Sequence, residues 1–111
     1  MSGADIKKLI SYWRETAKHS YETMNVLYKN KRYVDALFFG HLALEKILKG
    51  VIVKLTENSA PYTHDLVLLA DKSGIKITEE DKEFFELANE FNLRARYPDD
   101  KLSFYKKCTE Q

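Results

Sequence analysis

Apolar positions recur along the first quarter of the chain at steps of three and four. Ile6, Leu9, Trp13, Ala17, Met24 and Leu27 follow this rule, with Ser20 in one place of the same stripe. Such spacing lines one side of an α-helix, close to a heptad seam, and predicts a first helix from Ala4 to about Lys29. The polar run Lys29 to Arg32 is a tight turn, and so short a connection sets the next helix antiparallel. That second helix is predicted from Tyr33 to about Leu55 and carries two apolar faces. One holds Tyr33, Leu37, Gly40, Leu44, Ile47, Val51 and Leu55. The other holds Val34, Phe38, Leu48 and Ile52, with His41 and Glu45 set among them. A helix apolar on two sides needs cover on two sides. In a chain this small the second cover is expected from another subunit, most simply in a two-fold homodimer.

The stretch Thr56 to Thr63 reads as a loop, with Pro61 and several capping-type residues. A short helix is predicted from His64 to about Lys72, with Thr63 as its N-cap and Asp65 in its first turn, and Gly74 ends it. Thr78, followed by Glu79, Glu80 and Asp81, opens the next long helix. Its expected core stripe is Phe84, Leu87, Ala88, Phe91 and Ala95. Pro98 forces Tyr97 out of helical geometry, so this helix should stop near Arg96. A last helix is expected from about Lys101, with Leu102 and Tyr105 for packing; at about ten residues it depends on docking. With only 4 Gly and 2 Pro, breakers are sparse, which favours long helices over many short strands. The expected fold is all-α, an up-and-down bundle of four to five helices in a single domain over residues 1–111.

Charge narrows the function. Lys and Arg number 18 against 17 Asp and Glu, a balance that argues against a generic polyanion binder and leaves a local basic patch open. The aromatic residues, 7 Tyr, 6 Phe and 1 Trp, read as core and interface filling rather than a base-stacking platform. The single Cys108 forms no internal disulfide, and no Cys/His cluster has zinc spacing, so a reducing cytoplasm is the default. The opening "MSGADIKKLISYW" has no uninterrupted apolar run, so neither a signal peptide nor a membrane anchor is expected. There is no glycine-rich phosphate loop and no paired-Asp metal motif, so neither a cofactor nor a metal is expected.

Several polar residues carry candidate chemistry. His41 and Glu45 lie one turn apart, as an acid–base pair or as a structural pair at a subunit interface. Lys46 and Lys49 are two point charges that can meet phosphate or cover a solvated face. His64 and Asp65 start a helix, where free N–H groups attract anions, or simply form its first turn. In "NLRARYPDD", Asn92 to Asp100, the two arginines Arg94 and Arg96 stand about 200° apart on a helix and cannot clamp one anion together. Arg96 shares a face with Asn92 and Asn89. With Tyr97 these form a candidate binding edge, where the planar guanidinium can meet phosphate. The alternative is a cation near the helix C-terminus, paired to Asp99 or Asp100.

The ordered set "ALFFGHLALEKILKG", "THDL" and "RARYPD" resembles the HEPN family (higher eukaryotes and prokaryotes nucleotide-binding domain) over almost the whole chain. The matching parts are Glu45 to Lys49, His64 to Leu66 and Arg96 to Asp99. The resemblance implies a helical bundle that usually dimerises. In bacteria and archaea it often accompanies a small nucleotidyltransferase, as partner subunit or as the toxin of a toxin–antitoxin pair. It also implies a nucleotide or RNA ligand. Many toxin members are ribonucleases whose site pairs an Arg with a His four to six residues later, doubled across the dimer. Some carry a Tyr after that His, which the partner transferase modifies. Here no His follows Arg94 or Arg96. Arg14 and His19 have the spacing, but five helical steps turn their side chains about 140° apart, in the wrong helix. The resemblance thus implies a nucleotide-binding regulatory partner, with a metal-independent ribonuclease or a structural dimerisation module as alternatives. Arg94, Arg96, Tyr97, Asn92, His64 and Lys49 are its candidate ligand residues.

Overall fold

A computed structural model describes residues 2–96, with side chains through Arg94. Helix α1, Gly3–Lys29, is capped by Ser2, whose Oγ accepts from the Asp5 N–H at 3.2 Å. After a turn that puts Lys31 in the left-handed region (φ 61), α2 spans Tyr33–Thr56. The neighbouring pairs Met24–Gly40, Ser20–Lys46 and Trp13–Gly50 run in opposite senses along the two helices, so α1 and α2 are antiparallel. The two glycines let the backbones approach. A Cβ at Gly50 would lie 3.2 Å from Trp13 Cβ, and one at Gly40 would lie 3.1 Å from Met24 Sδ.

Helix α3, Leu66–Lys72, begins two residues later than the sequence suggests. Asp65 is the N-cap rather than Thr63, because its Oδ1 accepts from the Val67 and Leu68 N–H groups at 3.0 and 3.3 Å. Thr63 acts one step back, its Oγ1 accepting from the Asp65 N–H at 3.2 Å. Gly74 (φ 74) closes the helix as expected. Helix α4, Glu79–Arg96, opens on a reciprocal cap. The Asp81 N–H donates to Thr78 Oγ1 at 3.0 Å, and the Thr78 N–H donates to Asp81 Oδ2 at 3.4 Å.

The core forms where α2, α3 and α4 meet. Leu48 and Ile52 pack with Leu66, Leu69 and Ala70, and Leu44, Ile77, Phe85 and Ala88 close the edges. One expectation is corrected here. Of the α4 stripe, Phe84 and Leu87 are exposed and Phe85 takes the inward place. Adjacent phenylalanines make both registers apolar, and the inward turn of Asn89 and Asn92 decides between them. Of the two apolar faces of α2, the Val34–Leu48–Ile52 side is buried, whereas Leu37, Ile47 and Leu55 on the other side remain exposed. Among the described residues α4 packs on α2 and α3 and not on α1, and there is no strand. No helix among them is long and apolar enough to cross a membrane. The stop at Tyr97 and Pro98 and the helix expected from Lys101 lie outside the described residues.

Candidate functional site: a buried carboxylate and its polar network

Helix α2 places His41, Glu45 and Lys49 at steps of four on the face that also carries Leu48 and Ile52. All three are buried, with Glu45 5% exposed. A charge in that position is costly unless paired. Glu45 is paired twice. Its Oε2 accepts from Lys49 Nζ at 3.3 Å, and its Oε1 accepts from His64 Nδ1 at 2.8 Å. His41 Nδ1 lies 4.0 Å from the same Oε1, within ion-pair range should that ring be protonated. On its other side the Lys49 ammonium sits 5.4 Å from the centroid of the Trp13 ring, a cation–π distance. The carboxylate thus ties α2 to the segment leading into α3, and Lys49 carries the link on to α1.

Asn89 of α4 is the second node. Its Oδ1 accepts from the Leu66 N–H at 2.9 Å, and its Nδ2 donates to Asp65 Oδ1 at 2.8 Å. A backbone donor on one side and a carboxylate on the other fix which end of the amide is oxygen. His41 Nε2, 3.4 Å from that oxygen, must then carry a proton to bond it. Asp65 thus caps α3 and anchors α4 with the same oxygen.

The structure sorts the sequence candidates. His64 and Lys49 meet on Glu45. Lys49 is buried, neither on a solvated face nor open to phosphate. Its placement follows from the four-residue step to Glu45. The His41–Glu45 pair is buried within the chain, where its partners are His64, Lys49 and Asn89. Asn89 bonds α3 and Asn92 is buried, so both turn inward instead of lining an open groove with Arg96. Arg94 stays at the surface and donates to Glu90 at 2.7 Å. The side chain of Arg96, and Tyr97 altogether, lie outside the described residues. Lys46 donates to the buried Ser20 Oγ at 2.9 Å. The roles of Asp65 and Trp13 in this network were not legible beforehand. Each acts on a residue of another helix, and no local spacing announces that.

Chemically, the arrangement has one feature of an acid–base site. The His64 side chain is 49% exposed, and its Nδ1 is fixed on a buried carboxylate. In a neutral ring the lone pair then lies on Nε2. No group of three or more His, Cys, Asp or Glu side chains is placed to hold a metal ion among the described residues.

Both nodes and the arginine-bearing end of α4 fall inside residues 10–111, the stretch matched by the family model for the HEPN domain. The chain belongs to the HEPN family. Comparison with curated proteins and with solved structures yields no match. Membership supports a HEPN domain of nucleotide-binding or ribonuclease type.

Proposed function

We propose that this HEPN domain is a nucleotide-binding, regulatory partner of a small nucleotidyltransferase. It would work as a cytoplasmic homodimer in a pair of toxin–antitoxin type. The observation that carries this reading is the internal engagement of the polar residues. Glu45, Lys49, His41 and Asn89 are spent on holding α2, α3 and α4 together. The candidate ligand edge is then the C-terminal end of α4. Among the described residues Arg94 pairs there with the exposed Glu90, an interaction worth little and readily exchanged for a phosphate. Arg96 follows two residues on. The test has two parts. Thermal shifts across nucleoside mono-, di- and triphosphates should show a stabilising ligand whose effect falls in Arg94→Ala and Arg96→Ala. A nucleotidyltransferase encoded beside this chain should co-purify with it. A flat panel together with no co-purification sinks the reading.

The Glu45–His64 pair favours a second reading, ribonuclease activity with His64 as the proton acceptor. RNA cleavage by the purified protein, abolished in both His64→Gln and Arg96→Ala, would put this reading first.

A further inference from the structure

A groove of about 480 Å³ runs between α1 and α2, away from the polar network. Its apolar surface comes from Ile10 and Ala17 on one helix and Ile47, Gly50 and Val51 on the other. Four cations line it as well: Arg14, Lys18, Lys46 and Lys54. Among the described residues no carboxylate does. The bond from Lys46 to the Ser20 hydroxyl leaves its charge in place. In a chain with 18 basic and 17 acidic residues, that segregation is local. An apolar floor between cations suits a helix that presents apolar side chains between carboxylates.

The chain itself carries such a helix. From Glu79 to Glu90, α4 has six carboxylates (Glu79, Glu80, Asp81, Glu83, Glu86 and Glu90) against the single cation Lys82. On its exposed side Phe84 and Leu87, one turn apart, stand in the open at 57% and 65%. Glu80 lies between them around the helix, and Glu83 and Glu86 border Leu87 on one side, all three exposed. The lengths agree. Ile10 to Tyr21, the extent of the groove along α1, covers about 16 Å of helix, and Glu80 to Glu90 covers about 15 Å. Among the described residues a chain's own α4 packs on α2 and α3 and not on α1, so it does not reach its own groove.

We propose that the α1/α2 groove is the docking site for α4 of a second copy of this chain. Phe84 and Leu87 enter between the helices, and Glu80, Glu83 and Glu86 face the ring of cations. The exposed Ile47 of α2 is covered in the process. Done reciprocally, the exchange fills both grooves and closes a two-fold pair. The inference rests on the homodimer reading and names its surface.

The experiment is sedimentation of the full chain over a range of concentrations, at about 50 mM and about 500 mM salt. Wild type should form a dimer that weakens at the higher salt. Lys18→Glu with Lys54→Glu should raise the dimer dissociation constant at least about tenfold, as should Glu80→Lys with Glu83→Lys. All four residues are exposed. Circular dichroism of each variant checks that the monomer fold persists. Combining the two sets of reversals should restore association to within about threefold of wild type. A dimer indifferent to both sets overturns the docking site and leaves the homodimer standing on another face. A chain monomeric at every concentration overturns both. Reversals that weaken association without mutual rescue overturn the pairing of groove with α4.

Discussion

The Nδ1–H of His64, just ahead of α3, donates to Glu45 Oε1 in the middle of α2 across 2.8 Å, and the same carboxylate takes the Lys49 ammonium at 3.3 Å. The bond crosses 19 residues of chain and ties the start of α3 to the central helix. Its acceptor is buried and its donor half exposed. The relationship is thus structural on one side and open to solvent on the other.

Glu45→Ala is expected to be costly. It leaves the Lys49 ammonium buried without its carboxylate and removes the acceptor of His64. Breaking one side of a buried pair costs about 3–5 kcal/mol. Adding Lys49→Met should recover part of that loss, because the orphaned cation goes with it. Urea unfolding of the two single variants and the double variant measures the coupling. Strict additivity would mean that the pair does not act as a unit.

Asn89 offers a sharper test, because two substitutions separate its bond to Leu66 from its bond to Asp65. Asn89→Ala leaves the Leu66 N–H without its acceptor and should cost about 1–3 kcal/mol. Asn89→Asp keeps an oxygen for Leu66 but sets a second carboxylate against Asp65, where Nδ2 now donates. It is expected to destabilise at least as much. Hydrogen exchange distinguishes them. The Leu66 amide should exchange faster relative to its neighbours in Asn89→Ala and keep its protection in Asn89→Asp. Equal loss at Leu66 in both variants would show that the amide oxygen is not what holds it.

The helices were legible because their apolar periodicity is long and their breakers are few. The errors fell where two local signals competed. Thr63 and Asp65 are both good N-caps, and the one with two acceptable backbone donors in reach won. Phe84 and Phe85 are equally apolar, so the register of α4 was set by Asn89, whose partner Leu66 lies 23 residues away. The site was less legible for the same reason. The four-residue spacing of His41, Glu45 and Lys49 is visible, but what they bind is not. His41 meets Asn89 across 48 residues of sequence. No one-dimensional pattern distinguishes that from two unrelated polar residues.

Two glycines of α2 should respond in opposite ways to alanine. At Gly40 the added Cβ meets Met24 Sδ, part of an unbranched side chain that can turn aside. The helix also gains up to about 1 kcal/mol from losing a glycine, so Gly40→Ala should be neutral or stabilising. At Gly50 the added Cβ meets Trp13 Cβ, fixed to the α1 backbone and unable to rotate away. The helices must separate locally, and Gly50→Ala should cost about 1–3 kcal/mol despite its better helix propensity. Thermal unfolding of the two variants decides. A midpoint for Gly50→Ala at or above that of Gly40→Ala would deny the close approach at Trp13.

Arg94 and Glu90 let binding be separated from folding. Their 2.7 Å ion pair is one turn of α4 apart and well exposed on both sides. Arg94→Ala is therefore expected to change stability by no more than about 0.5 kcal/mol. If the end of α4 is the nucleotide edge, the same substitution should weaken nucleotide affinity several-fold, since a cation at a phosphate is lost. Glu90→Gln makes the opposite case. It removes the carboxylate that competes with phosphate for the guanidinium and leaves the fold alone, so affinity should rise, and rise most at low salt. Calorimetric titration with one nucleotide across wild type, Arg94→Ala and Glu90→Gln should rank them in the order Glu90→Gln, wild type, Arg94→Ala. Identical affinities in all three would remove Arg94 from the ligand edge and leave Arg96 to carry it alone.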